Sequence, residues 1–469
     1  MGGGNWAIEE LGQADLGDAR RTRRLARVVA ALAARPGASV PEACGSWAAT
    51  KAAYRLWASP HVAPAAIRRA HAARTVARLA GQATVLAIQD TTDLDFTHHP
   101  ATAGLGPLGH PAQQGLKVHS TLAASVDGVP LGLLHQQVWR RDPARRGQRR
   151  RRRQRATAEK ESQRWLTAWR AAQAAVPAAT AVVTIADREA DIYDFFAQPR
   201  RPGGEFLIRA AQDRCVQRGG EAGRLWATLR RAPAGGTLEV AVPRGDDRPA
   251  RRATLTLRWA SLALRPPRNR PKREGLAPVA VRAVLAEEAA PPPGATPVRW
   301  LLLTTLPVAT RADAARCVRW YTYRWLIERY HFALKSGCRV EALQLHTAAG
   351  LERALATYGV VAWRLLWLTY QARRAPDAPC DGVLAPHEWQ ALWCTLQRTP
   401  APPAQPPSLR DAVRGIARLG GFLGRAADGE PGVQVVWRGL RRLDDIAATW
   451  ALLHGPPSAS SPATNVGKA

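Results

Sequence analysis

The sequence has no long uninterrupted run of apolar residues, although 46% of its 469 residues are hydrophobic. A helix needs about 20 mainly apolar residues to cross a bilayer, so we expect no membrane-spanning segment. The first six residues form neither a basic nor an apolar stretch, so we expect no secretion signal and a cytoplasmic protein.

Cysteine is also scarce. The six cysteines are scattered, with no Cys-x-x-Cys motif and no histidine pair at zinc-binding spacing. This pattern favours reduced, partly buried thiols over a disulfide framework or a zinc site. The cysteines are Cys44, Cys215, Cys317, Cys338, Cys380 and Cys394.

Acidic residues are few in relation to basic ones. The 67 lysines and arginines outnumber 37 acidic residues, which gives a net charge of +30, and nearly all of the basic residues are arginine. An excess of this size indicates a polyanionic partner, for which nucleic acid is the default. A membrane surface is the weaker alternative, because the charge is not confined to one amphipathic helix.

Two aspartates follow short apolar runs. Asp90 ends the run at 84–90, and Asp187 ends a similar run at 181–187. Both runs are typical of buried strands, and open α/β sheets place their ligand sites at the carboxyl ends of strands. Each aspartate could instead only cap the turn that follows it.

A segment with helical periodicity carries the spacing Tyr-x2-Arg-x3-Glu-x6-Lys, filled by Tyr321, Arg324, Glu328 and Lys335. Arg324 and Glu328 are four residues apart and therefore neighbours on the helix surface. An isolated pair of this kind is more typical of an ion-paired surface helix. The two upstream aspartates favour a metal site, because three carboxylates can hold two Mg²⁺ ions for phosphodiester displacement.

These motifs together resemble the DDE transposases of the bacterial insertion-sequence family 4, the class with the Tyr-Arg-Glu-Lys signature. Asp90-Thr-Thr resembles the first-aspartate motif of the family, and Asp187-Arg-Glu-Ala-Asp resembles the second. The similarity runs from residues 16–22 to residues 416–422, and so covers nearly the whole chain. One departure is Phe332, which stands where the family's best-studied member has a basic residue.

The resemblance implies cut-and-paste DNA transposition. Asp90, Asp187 and Glu328 would be the catalytic residues and the ligands of two Mg²⁺ ions, for which Mn²⁺ can substitute. Nicking of one strand would be followed by attack of the freed 3′-hydroxyl on the opposite strand, which gives a hairpin. Hairpin opening and insertion into target DNA would complete the reaction.

The resemblance also implies DNA contacts around the triad. Trp300, 28 residues before the last acid, matches the tryptophan on which the family stacks a flipped base. It could equally be a core residue of a buried strand. Tyr321, Arg324 and Lys335 would hold phosphates near the flipped base, and Arg209 would contact the DNA backbone.

The first 72 residues are predicted to form small helices. One of them has apolar residues on one face and arginines on the others, which is also typical of a solvated basic helix. Because the N-terminal helical domain of the family grips the transposon end, Arg20, Arg21 and Arg24 are the leading candidates for DNA contact. A second arginine run, at 140–155, is either a solvated loop or a segment that follows the DNA backbone.

The fold class is predicted to be α/β, with a ribonuclease-H-like catalytic core flanked by N-terminal and C-terminal helical domains. The pattern predicts strands at 84–90, 117–125, 129–139, 181–187 and 205–210, and helices at 160–175 and 189–197. The signature helix lies 141 residues after Asp187. This gap calls for an inserted domain, which we expect to be β-rich at about 211–310. The predicted domains are 1–72, 73–369 and 370–469.

The expected partners are double-stranded DNA, as terminal inverted repeats and as target, and a second copy of the chain in a homodimer on paired ends. The helices expected at 408–453 resemble the dimerisation region of the family, although a plain helical core would have the same pattern. Residues after 454 are expected to be disordered. A DNA-binding protein of this kind would be associated with the nucleoid.

Two alternatives remain. The chain could be a catalytically inactive, transposase-derived DNA-binding protein that occupies transposon ends, but drift has no reason to preserve the triad and the signature. It could also be a host nuclease on the same fold, which would not explain the signature or the flanking helices.

Overall fold

The computed structural model describes residues 6–110, 112–145, 155–242, 249–267, 276–425 and 428–454. Most of the second arginine run, much of the connectors within the predicted insertion, and the tail from 455 onward lie outside the described residues. The chain folds as a mixed α/β protein with a large central sheet. Within the described ranges, no helix combines the length and the apolar character needed to cross a bilayer.

Short helices form the N-terminal region: α1 (Trp6–Leu11), α2 (Ala19–Ala34), α3 (Val40–Cys44), α4 (Trp47–Ala58) and α5 (Pro64–Ala77). The α2 helix begins at Asp18, whose carboxylate accepts a backbone N–H of the first turn, and it buries Leu25 and Val29. Residues 40–58 form two helices rather than one. Gly45 has a φ of 69°, which ends α3, and Ser46 caps α4.

Twelve strands of the described residues form one sheet in the order β2-β3-β1-β5-β6-β12-β11-β10-β7-β8, with β4 on β3 and β9 on β10. Their bounds are β1 (Thr84–Asp95), β2 (Gly106–Pro107), β3 (Gln114–Ser125), β4 (Pro130–Trp139), β5 (Ala181–Ala186), β6 (Gly204–Arg209), β7 (Cys215–Arg218), β8 (Glu221–Arg224), β9 (Thr237–Val242), β10 (Arg251–Leu264), β11 (Val279–Glu288) and β12 (Arg299–Thr304).

Helices cover both faces of the sheet near the two aspartates. Helix α6 (Gln163–Ala175) brings Trp165 within 4.6 Å of His119, measured between ring centroids. The next residue on β3, Ser120, accepts a hydrogen bond from Gln136, which also donates to Tyr330 on a later helix. Successive side chains on a strand point to opposite faces, so the two helices pack on opposite sides.

The strands predicted between 211 and 310 are confirmed, but they do not form a separate sheet. β12 pairs antiparallel with β6, with Leu302 opposite Arg209, so the insertion continues the core sheet. The insertion also contains α8 (Leu225–Arg231) and follows α7 (Tyr193–Phe196). Alternation along a strand predicts which face is buried but not which strand will cover the open edge of β6.

The remaining chain is helical: α9 (Arg311–Thr322), α10 (Trp325–Phe332), α11 (Ala348–Arg374), α12 (Pro386–Gln397), α13 (Leu409–Leu419) and α14 (Val433–His454). The long helix α11 is buried over most of its length and includes the fully buried Trp363. Helix α14 packs on α12 and α13, and Asp444 in α14 lies 2.5 Å from Arg35 at the end of α2. The helices predicted within 408–453 are confirmed.

Candidate active site

Asp90 and Asp187 lie at one edge of the parallel strand pair β1–β5. The two strands pair in register as far as Ile88 opposite Ile185. β5 ends one residue later, and Asp187 caps the following 3₁₀ turn by accepting the backbone N–H of Glu189 at 2.9 Å. Extended by two residues, the register places Asp90 opposite Asp187.

The prediction that Asp90 ends its strand is wrong. β1 continues to Asp95, because its other neighbour β3 goes on pairing with it, with Asp90 opposite Ser120. The parallel pairing with β5 does stop before Asp90. The carboxylate therefore still lies where the parallel strands end, which is the usual ligand position in α/β sheets.

Glu328 reaches the same edge from α10. The prediction that the signature segment is one helix is wrong, because a turn separates α9, which carries Tyr321, from α10. Arg324 lies at this turn as the N-cap of α10. Its Nη1 atom lies 2.6 Å from Glu328 Oε1 and 4.0 Å from Asp90 Oδ2. The guanidinium thus lies between the last acid and the first.

The three carboxylates influence one another electrostatically. Burial, together with the negative charges of Asp187 and Glu328, raises the pKa of Asp90 to about 7. The backbone N–H of Thr91 and the guanidinium of Arg324 act in the opposite direction. Negative charge at this edge is therefore poorly compensated, and a bound cation would stabilise it.

The described residues contain no group of three or more His, Cys, Asp or Glu side chains that is already close enough to hold a metal ion. Asp90, Asp187 and Glu328 nevertheless fit a divalent cation in donor type, because carboxylate oxygens are the ligands that Mg²⁺ and Mn²⁺ prefer. They also fit in charge, because Asp90 and Glu328 already have a positive group, the guanidinium of Arg324, between them.

Trp300, Tyr321 and Arg209 lie together beside the triad. The Trp300 and Tyr321 rings pack edge to face, with centroids 5.5 Å apart. Trp300 is half-buried against the hydrophobic core, whereas Tyr321 is buried. Burial lowers the pKa of Arg209, and the neighbouring Tyr321 opposes this shift. Arg209 also donates to the carbonyl of Arg299 at 3.1 Å.

Lys335 lies on a short π-helical turn, Ala333–Gly337, that follows α10. Its ammonium lies 3.2 Å from the Glu341 carboxylate and donates to the carbonyl of Asp93 at 3.0 Å. Asp93 is three residues beyond Asp90 on β1. Lys335 therefore contacts strand β1, which also carries the first acid, and its charge is paired with Glu341.

The arginines of α2 differ in exposure. Arg20 and Arg24 are exposed, and the side chain of Arg20 is 81% accessible. Arg21 is half-buried and donates to the carbonyl of Leu16 at 3.0 Å. Two of the three predicted contacts are thus available to a large partner, and the third is tied to the protein backbone.

Two neighbours of the site were missed from the sequence. Trp325 is 40% exposed, and its ring centroid lies 5.3 Å from the guanidinium carbon of Arg324. Arg164 on α6 donates to the Thr91 hydroxyl and to Glu189, each of which adjoins one of the aspartates. An exposed aromatic within the signature could have been recognised, but no sequence signal links residue 164 to two segments that are distant along the chain.

Three regions of the chain match known protein families. Residues 4–62 match the transposase DNA-binding family, and residues 131–363 match the transposase DDE domain. Residues 360–450 match the Tn5 transposase dimerisation domain. The DDE match includes Asp187 and Glu328 and begins after Asp90.

The order of the matches agrees with the function inferred from the motifs. A DDE domain implies a ribonuclease-H-like core and a dependence on divalent metal. The flanking matches provide DNA binding at one end and homodimer formation at the other. The chain is a DDE transposase, a metal-dependent enzyme that cleaves DNA and transfers the cut strand.

Proposed function

We propose that this transposase belongs to insertion-sequence family 4 and moves its element by cut-and-paste transposition through a DNA hairpin. The observation that carries the proposal is that Arg324 lies between Asp90 and Glu328, at the sheet edge where the β1–β5 register brings Asp90 opposite Asp187. The resemblance of the ordered signature to that family supports the finer assignment. Three adjoining domains, divided near residues 72 and 369, would grip the end, cut it and form the dimer.

Asp90, Asp187 and Glu328 would together hold two Mg²⁺ ions. When bound, such ions supply Lewis-acid activation of the attacking oxygen and charge neutralisation of the leaving one. Before metal binding, Arg324 supplies positive charge between Asp90 and Glu328. It would then be available to contact a DNA phosphate as the carboxylates take up their ligand role.

The surrounding residues would position the DNA. Tyr321, Arg324 and Lys335 would hold phosphates next to the triad, and Arg209 would contact the backbone of the same strand. Hairpin formation strains the duplex end, so a base has to leave the stack. Trp300 would receive that base, supported by its half-buried position and its packing on Tyr321.

Arg20, Arg21 and Arg24 would contribute to end recognition. The exposed Arg20 and Arg24 suit phosphate contact. Arg21 would act indirectly, through its hydrogen bond to the backbone carbonyl of Leu16. Phosphate contacts of this kind supply much of the affinity without reading the sequence.

Single alanine substitutions test the triad. Each of Asp90→Ala, Asp187→Ala and Glu328→Ala should abolish Mg²⁺-dependent cleavage of a duplex end and leave end binding largely intact, because binding depends on phosphate contacts elsewhere. The exposed Glu221 on β8 provides a matched control, and Glu221→Ala should cleave normally. Cleavage that survives in a purified triad variant would remove that acid from the proposed site.

A further inference from the structure

Arg164 is the only arginine of the described chain that donates to residues adjoining both aspartates. It lies on α6, and 12% of its side chain is accessible. Its Nε atom donates to Thr91 Oγ1 at 2.8 Å, and its Nη2 atom donates to Glu189 Oε2 at 2.5 Å. Thr91 follows Asp90 directly, and the backbone N–H of Glu189 donates a hydrogen bond to the Asp187 carboxylate. One guanidinium therefore joins strand β1 to the 3₁₀ turn that follows β5.

The hydrogen bond between Arg164 and Thr91 is the first of a series that continues into the protein interior. Because Thr91 Oγ1 accepts from Arg164, its own proton can go to His119 Nδ1, which lies 2.9 Å away. The other ring nitrogen of His119 then carries the proton that faces Gln89 Oε1 at 3.4 Å. Burial lowers the pKa of His119 well below its ordinary value, which agrees with a neutral ring in this series of hydrogen bonds.

The position of the guanidinium is fixed by further contacts. Arg164 Nη1 donates to the carbonyl of Glu161 at 3.0 Å. Its guanidinium carbon lies 5.4 Å and 5.8 Å from the ring centroids of Trp165 and Trp139. A planar group with several fixed donors can join two segments in a defined geometry, which a lysine with its single ammonium cannot reproduce.

The cleft in which Arg164 lies, about 490 Å³ in volume, does not have the charge of a phosphate site. Each of its three cations is paired with an acid: Lys117 with Asp93 at 2.5 Å, Arg141 with Glu161 at 2.6 Å, and Arg164 with Glu189 at 2.5 Å. A cleft with balanced charge offers little net attraction to DNA, which favours a role of Arg164 within the protein over a role in binding the strand.

We infer that Arg164 is a positioning residue that sets the separation of Asp90 and Asp187 for divalent metal binding. It acts through Thr91 on one side and through Glu189 on the other, and it contacts neither DNA nor metal itself. This inference rests on the proposed function, because it takes both aspartates as ligands. Partners that orient metal ligands usually contribute 10-fold to 100-fold to metal affinity.

The test is a titration of Mn²⁺, followed by electron paramagnetic resonance, into the full-length transposase bound to a pre-cleaved end duplex. Arg164→Lys should raise the Mn²⁺ dissociation constant by about 10-fold or more. Glu189→Gln, at a side chain that is 62% exposed, should raise it less and should fold normally. Arg170→Lys is the matched control on the same helix, because Arg170 is exposed and bonded to Gln198, and it should leave Mn²⁺ affinity unchanged.

Metal-free DNA binding distinguishes positioning from a direct contact. Arg164→Lys and Glu189→Gln should bind the end duplex with unchanged affinity and an unchanged salt dependence. Unchanged Mn²⁺ affinity in both variants would overturn the inference. So would a loss of metal-free DNA affinity with a flatter salt dependence, which would make Arg164 a phosphate contact. A lowered melting temperature with wild-type Mn²⁺ affinity in the folded fraction would also overturn it, since the role would then be structural.

Failure of the proposed function would be recognised separately. Asp90→Asn and Asp187→Asn should remove Mn²⁺ binding in the same titration. If both retained wild-type affinity, the aspartates would not be ligands, whatever the Arg164 variants showed. If they lost binding and the Arg164 and Glu189 variants did not, only the present inference would fail.

Discussion

Replacement of Glu10 by glutamine should strongly destabilise the protein at neutral pH. Glu10 is 2% exposed and accepts hydrogen bonds from His71 Nδ1 at 2.5 Å and from Arg78 at 2.7 and 3.0 Å. His71 Nε2 accepts the backbone N–H of Leu133, so its Nδ1 carries the proton that faces Glu10. These contacts join α1, α5 and β4, and loss of the charge would leave Arg78 uncompensated.

The magnitude follows from the pKa of Glu10, which burial alone would raise but which His71 and Arg78 lower from 4.5 to about 2. Each pKa unit corresponds to about 1.4 kcal/mol, so the charge contributes about 3 kcal/mol to the free energy of unfolding. This stability is fully present above pH 4.5 and is lost as the pH falls toward 2. Burial lowers the pKa of His71, so the neutral ring adds a further loss of stability as the pH falls below 6.5.

Urea unfolding of wild type and Glu10→Gln at several pH values measures this effect. The variant should be about 3 kcal/mol less stable at pH 7, and the difference should shrink to about half or less at pH 3. Glu9→Gln is the control, because Glu9 is half-buried on the same helix. Equal stability of wild type and Glu10→Gln at pH 7, or a difference that does not change with pH, would show that the Glu10 charge does not stabilise the fold.

Three further predictions concern DNA and packing. Trp300→Ala should slow hairpin formation by about 10-fold to 100-fold and nicking by less, because base stacking is worth about 1–3 kcal/mol; equal losses in both steps with a lower melting temperature would indicate a core residue. Arg20→Ala combined with Arg24→Ala should weaken end binding and flatten its salt dependence in a gel-shift titration. An unchanged salt slope would show that α2 is a solvated basic helix and not a DNA contact. Gly337→Ala should destabilise the protein by about 1–3 kcal/mol in urea unfolding, because a Cβ there would lie 2.8 Å from the Trp437 ring; wild-type stability would show that the ring can move.

The sequence predicted the core strands and the contact between Arg324 and Glu328 because those features are local. The apolar runs before Asp90 and Asp187 predict buried strands, and the spacing of Arg324 and Glu328 predicts their contact at 2.6 Å. The pairing of β12 with β6 could not be predicted, since it joins Leu302 to a strand nearly a hundred residues earlier.

The break in the signature segment was also hidden from the sequence. Tyr321, Arg324 and Glu328 fit one helical pattern, and nothing in the segment marks a break, such as proline or glycine. The bridge through Arg164 is a tertiary feature of the same kind, because its two acceptors lie 73 and 25 residues away along the chain. Local patterns predict candidate ligands for the proposed site but not the tertiary contacts around them.

Replacement of Asp187 by cysteine tests whether the carboxylates at the β1–β5 edge are metal ligands. A thiolate is a poor ligand for Mg²⁺ and a better one for softer divalent metals such as Mn²⁺. We expect Asp187→Cys to bind the duplex end normally, to lose cleavage in Mg²⁺ and to recover part of it in Mn²⁺, whereas Asp187→Ala should recover none. Wild-type cleavage by Asp187→Cys in Mg²⁺ would contradict the account.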